Sequence, residues 1–134
     1  MGSGSLCGRC TTAPDAQGKQ IVVDWTGCKV GQIGEHNIIV PVVPVFPAEQ
    51  VSWFSPEPVK ELFRNTMRQT RHRGCNSTIM MSVAKARLGE PDALAHLRDY
   101  YKPNVQPNGM FYWPMHGFYL AESVGIAAGI SEFL

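Results

Sequence analysis

Gly74-Cys-Asn-Ser-Thr-Ile-Met-Met-Ser-Val-Ala-Lys-Ala-Arg-Leu-Gly89 is the stretch on which the fold turns. At about 100° per residue, Ile79, Met80, Met81, Val83, Ala84, Ala86 and Leu88 cover well over half of a helical wheel. Only Thr78, Ser82 and Lys85 remain as a narrow polar strip, so the helix must be covered on several sides. Asn76 or Ser77 offers an N-cap oxygen to the free amides of the first turn, and Gly89 lacks the Cβ that a left-handed C′ position disfavours. Glu90-Pro91-Asp92 opens a second helix at once, with proline in a first-turn position where no amide hydrogen is needed. An αα-hairpin is predicted.

Outward from this hairpin, the chain reads as a flexible leader over 1–20 and a single helical domain over 21–134. Its length of 134 residues suits one core, and 44% hydrophobic with 17% charged residues excludes a disordered chain. A net charge of +1 predicts no nucleic-acid partner. The longest apolar runs, Ile38 to Phe46 and the last helix, fall short of the ~18 residues a membrane span needs, so no membrane partner is expected. No signal-peptide pattern opens the sequence.

Residues 1–20 hold few large apolar side chains and read as an irregular lead-in, followed by a β-prone segment from Gln20 to Trp25. Glu35 to Pro47 contains Pro41, Pro44 and Pro47, which rule out a regular helix or a central strand. Such an apolar, irregular segment is expected to be buried, with Arg and Asn side chains donating to its unpaired carbonyls. Ser55-Pro-Glu-Pro-Val59 is a helix start with serine as N-cap. In that helix Val59, Leu62, Phe63, Thr66, Met67 and Thr70 share one face, and Lys60, Arg64, Arg68 and Arg71 the other. The basic stripe reads as a solvated face or as an anion site, and the lack of interleaved aromatics favours the first. The next helix, from Pro91 to about Tyr101, is expected to pack through Leu94, Ala95, Leu97 and Tyr101.

Cys7, Cys10, Cys28 and Cys75 read mainly as ordinary thiols, with a disulfide or a zinc site through Cys7, Cys10 and Cys28 as alternatives. No metal and no cofactor is expected.

The chemistry-bearing residues cluster late in the chain. Met110 to Tyr119 is the most aromatic stretch and reads as a loop, its rings placed for sugar stacking or as a plug over the core. Leu120 to Leu134 forms the last helix, in which Gly125 and Gly129 allow close approach of a neighbour. Glu122 stands in its first turn, where the helix dipole favours the ionised carboxylate and burial would oppose it. It is either a helix-end charge or an acid or base beside the aromatics.

These residues fall into a pattern. His36-Asn37, Pro44-Val-Phe-Pro47, Arg73-Gly74, Ala86-Arg-Leu-Gly89, Gln106-Pro-Asn-Gly109 and Ala128-Gly-Ile-Ser-Glu-Phe-Leu134 resemble, in order and spacing, phrases of the catalytic domain of family 95 glycoside hydrolases, the α-L-fucosidase family. The resemblance runs from about Glu35 to Leu134. It implies a mainly α fold, helical hairpins from part of an (α/α)6 toroid, of which this chain would span about a third. It implies a carbohydrate partner and inverting hydrolysis of an α-glycoside, in which one carboxylic acid protonates the leaving oxygen and a second carboxylate directs water. The family's base position falls on Ala121, so that Glu122 either takes over its role or the base is missing. Glu35 is the nearest carboxylate for the acid. His36, Asn37, Tyr112, Trp113 and His116 are the implied substrate-binding residues. Faces that a full toroid would cover are expected to favour a homo-oligomer, and the alternative reading is a non-catalytic helical module that self-associates.

Overall fold

The structure, a computed structural model, describes residues 10–28, 39–70, 75–113 and 117–134, and for residues 75, 113 and 117–122 the backbone alone. The described fold is mainly helical. Strands β1 (Thr12–Pro14) and β2 (Gln20–Val22) form an antiparallel pair, followed by a 3-10 turn at Val40–Val42 and helices α1 (Glu57–Gln69), α2 (Cys75–Arg87) and α3 (Ala93–Tyr101). A second antiparallel pair, β3 (Phe111–Trp113) and β4 (Gly117–Tyr119), leads directly into α4 (Leu120–Ser131).

Helix α2 is central, packed against α1, α3, α4 and the 3-10 turn. The polar strip expected on it is itself covered: Thr78 and Ser82 are buried, and the Ser82 hydroxyl donates to the Thr78 carbonyl at 2.8 Å. The helix begins at Cys75, which puts Asn76 and Ser77 inside its first turn rather than at its cap. Its far end follows the sequence reading. Gly89 has φ 71°, and the Glu90 amide donates back to the Lys85 carbonyl at 2.9 Å, closing the helix in the left-handed manner. A Cβ on Gly89 would stand 1.9 Å from Cζ3 of Trp53, so the indole ring also requires glycine here.

The main core gathers Ile39, Val42, Val45 and Val51 of the proline-rich segment with Val59, Phe63 and Met67 of α1 and Met81, Ala84 and Leu88 of α2. Phe63 is fully buried, which contributes about 1.5–3 kcal/mol of transfer free energy. From Ile39 onward the proline-rich segment holds only the 3-10 turn, Ile39, Pro41, Val42 and Val45 are buried, and the Arg87 guanidinium donates to the Val45 carbonyl at 3.3 Å. A second cluster sets Phe111 against Ile79, Val83 and Ile126, with Tyr100 stacked on Phe111 at a centroid distance of 5.5 Å.

Several expectations are corrected. The lead-in is not irregular throughout, since Thr12–Pro14 pairs with Gln20–Val22 around a turn in which the Asp15 carboxylate accepts the amides of Gln17 and Lys19, both at 2.8 Å. Helix α1 starts one residue late, because the Ser55 hydroxyl accepts the Ser52 amide instead of capping the helix. Helix α3 starts at Ala93, so its buried row is Ala93 and Leu97, and Leu94 is 57% exposed. The aromatic stretch is a strand pair rather than a loop. Cys10 is disulfide-bonded, and Cys28 is buried and outside any disulfide. A sulfur held in a disulfide is no thiolate ligand, which removes the zinc reading through Cys10.

Candidate functional site

The β3–β4 pair and the start of α4 form one unit. Register pairs Phe111 with Tyr119, Tyr112 with Phe118 and Trp113 with Gly117, and α4 begins at the next residue. The Phe111 amide donates to the Ser123 hydroxyl at 2.9 Å, tying β3 to the first turn of the helix. The Tyr112 amide donates to the Asn104 carbonyl at 2.9 Å, so the loop after α3 holds the same strand. Phe111, fully buried, is the anchor of the unit.

Of the residues expected to carry chemistry, Tyr112 and Trp113 are neighbours on β3 and Glu122 lies in the first turn of α4, next to Ser123. Tyr112 is half-buried. Glu35, His36, Asn37 and His116 lie outside the described residues, as do the side chains of Trp113 and Glu122.

A feature that the sequence reading missed is a cleft of about 420 Å³ between α2, α4 and the loop after the 3-10 turn. Val43, Phe46 and Pro47 line one wall, Ile79, Met80 and Val83 a second, and Gly125 and Ala128 a third, with Asn76 and Glu132 as its polar members. The only hint in the sequence was the small-residue ridge of α4. Gly125 and Gly129 bring that ridge against Ile79 and Leu97 of this chain: a Cβ on Gly125 would sit 3.1 Å from Ile79, and one on Gly129 3.5 Å from Leu97.

Glu132, a polar member of the cleft lining, is held in an ion pair. Arg87 donates from Nε to Glu132 at 2.9 Å, from Nη2 to the other Glu132 oxygen at 2.7 Å, and from Nη2 to Glu49 at 3.0 Å, with its guanidinium 5.1 Å from the Phe46 ring centre. The Arg87 hydrogen bonds hold the Glu132 carboxyl below its ordinary range. Neither group is available to bind a charged ligand without breaking this pair.

The basic face of α1 is likewise matched. Lys60 pairs with Glu57 at 2.8 Å, Arg64 pairs with Glu57 and with Glu90 at 3.2 Å, and Arg68 pairs with Glu61 at 3.3 Å and with Glu90 at 3.4 Å. Arg64 also donates to the Leu88 carbonyl at 2.6 Å, so Arg64 and Arg68 fasten α1 to the α2–α3 turn, while Arg71, the last member of the stripe, lies outside the described residues. Among the described residues no group of three or more His, Cys, Asp or Glu side chains could hold a metal ion. None of the described helices is long and apolar enough to cross a membrane.

Compared with the models of known protein families, with curated proteins and with solved structures, the chain shows no match.

Proposed function

We propose that the chain is a carbohydrate-active segment of glycoside-hydrolase type, related to the (α/α)6 toroids of family 95, and that it hydrolyses an α-glycoside with inversion through Glu122. The observation that supports this reading is the continuity of the aromatic strand pair with the first turn of α4, pinned by the bond from the Phe111 amide to Ser123. Aromatic residues and a carboxylate residue carried on one continuous stretch of backbone suit a sugar ring and its glycosidic oxygen. In this reading Tyr112, Trp113 and His116 orient the sugar with His36 and Asn37, Glu122 directs the attacking water, and Glu35 protonates the leaving group. The test is a panel of aryl α-glycosides, α-L-fucoside and α-galactoside included. The parent turns over at least one of them, and Glu122→Gln lowers kcat by about 100-fold or more; absence of turnover by the parent rejects the reading.

A second reading, the self-associating helical module, is favoured by the apolar side chains that α4 leaves in water, Val124 and Ile130. Gly129→Leu is a poor probe of it, because Gly129 is buried against Leu97 within the chain. Ile130→Glu is the cleaner variant. A concentration-dependent dimer in sedimentation velocity that this substitution abolishes supports the second reading, and a monomer at all concentrations rejects it.

A further inference from the structure

We infer that the loop preceding α1 carries a surface site for a neutral pyranose ring, built from Phe54, Trp53, Ser52, Glu49 and Arg87. These residues line a shallow pocket of about 280 Å³ over Val51, which is buried. Phe54 is 94% exposed and Trp53, its neighbour, 57% exposed. Two adjacent aromatic side chains left this far in water forgo the stabilisation that burial would give them, and such a pair marks a contact surface.

The pair is held by its own backbone and neighbours. The Ser52 amide donates to the Ser55 hydroxyl at 3.0 Å, the Ser55 amide to the Ser52 carbonyl at 3.0 Å, and the Phe54 amide to the Ser52 hydroxyl at 3.3 Å. Trp53 is seated on Gly89, and the Lys60 ammonium lies 5.3 Å from the centre of its ring. Its position is therefore fixed before any ligand arrives, while Phe54 beside it is presented to solvent. Glu49 has φ 55°, the left-handed region that a side chain occupies only at a cost, and such strain concentrates at binding sites.

The mixture of groups selects the occupant. An apolar peptide segment laid here would strip water from Glu49 and Arg87 and return nothing to them. A pyranose ring offers a C–H face to an aromatic ring and a rim of hydroxyls to a carboxylate, a guanidinium and a serine hydroxyl. Arg87 is shared between Glu49 at 3.0 Å and Glu132 at 2.7 Å, which leaves the cluster with one carboxylate charge in excess, so the site favours an uncharged sugar over an anionic one. Its volume suits a ring of that size rather than a helix. The site shares no residue with the reading built on β3, β4 and Glu122, and each can fail without the other.

The experiment is native electrophoresis of the whole chain in gels cast with soluble xylan, galactomannan or pullulan, beside Phe54→Ala and Glu122→Gln. At least one polysaccharide retards the parent and Glu122→Gln alike, and Phe54→Ala, whose circular dichroism matches the parent's, binds about tenfold more weakly or not at all. Retardation by none of the three overturns the inference, and so does equal retardation of Phe54→Ala. Retardation lost in Glu122→Gln but kept in Phe54→Ala also overturns it, since the polysaccharide then sits at the strand pair. A dimer of the parent that Phe54→Ala dissolves, without any polysaccharide binding, assigns the aromatic pair to a protein contact and overturns it equally.

Discussion

Arg87, in the last turn of α2, grips Glu132, one residue beyond α4, through two parallel hydrogen bonds of 2.9 and 2.7 Å. The fork joins the ends of two helices beside the apolar cleft that Glu132 lines, while Nη1 donates to the Val45 carbonyl and Nη2 also to Glu49. Lysine cannot reproduce a planar fork with these separate partners. Arg87→Lys is expected to lower stability by about 1 kcal/mol and Arg87→Ala by about 1–2 kcal/mol, after allowance for partial exposure, as measured by urea denaturation. Equal stability of all three would show that the fork contributes nothing.

The same pair sets an acid limit. Glu132 is held below its ordinary value of 4.5 by Arg87, and Asp92 below 3.8 by its hydrogen bond with Lys85. A carboxyl whose folded pKa is depressed stabilises the fold fully above its unfolded value and loses that contribution as pH falls through the folded one. Urea midpoints are therefore flat from pH 7 to about 5 and fall below about 4.5, and the fall is shallower in Glu132→Gln.

Gly89 and Gly109 separate backbone strain from steric clash. Both have positive φ, 71° and 79°, but a Cβ on Gly109 meets nothing within 4 Å, whereas one on Gly89 collides with the Trp53 ring. Gly109→Ala is expected to cost about 1 kcal/mol through the left-handed conformation alone. Gly89→Ala costs clearly more, about 2–3 kcal/mol, and changes the tryptophan emission, because Trp53 must move.

Thr66 joins the first strand pair to the helices. Fully buried, its hydroxyl accepts the Val22 amide at 2.8 Å and donates to the Leu62 carbonyl at 2.8 Å. Thr66→Val keeps the shape and leaves that amide without an acceptor, so a loss of about 1–3 kcal/mol is expected. Hydrogen exchange at the Val22 amide is the local readout: faster exchange in the variant is predicted, and unchanged exchange contradicts the role.

The central helix, its glycine end and the hairpin that follows were legible because an apolar surface covering most of a helical wheel has few folds open to it. The need of the proline-rich segment for side-chain donors was also legible, and Arg87 meets it at Val45. Of the first strand pair, Gln20–Val22 was legible as a β-prone segment but its partner Thr12–Pro14 was not, since three residues carry too little pattern to outweigh glycines and polar neighbours. Leu94 was misplaced because the buried row of α3 is Ala93 and Leu97, four residues apart, with Leu97 set against Gly129 of α4. The cleft beside Phe46 and Ile79 arises from segments far apart in sequence, and no periodicity reports it. Of the candidate site, the proximity of Tyr112 and Trp113 to the helix bearing Glu122 was legible from chain order, whereas their pairing with β4 was not.

The most direct test of the carbohydrate reading is to follow hydrolysis of an aryl α-glycoside by proton NMR and identify the first sugar anomer released, before mutarotation. Inverting hydrolysis through Glu122 predicts the β-anomer first, and its disappearance in Glu122→Gln. Release of the α-anomer, or no release of sugar from any glycoside offered, contradicts the account.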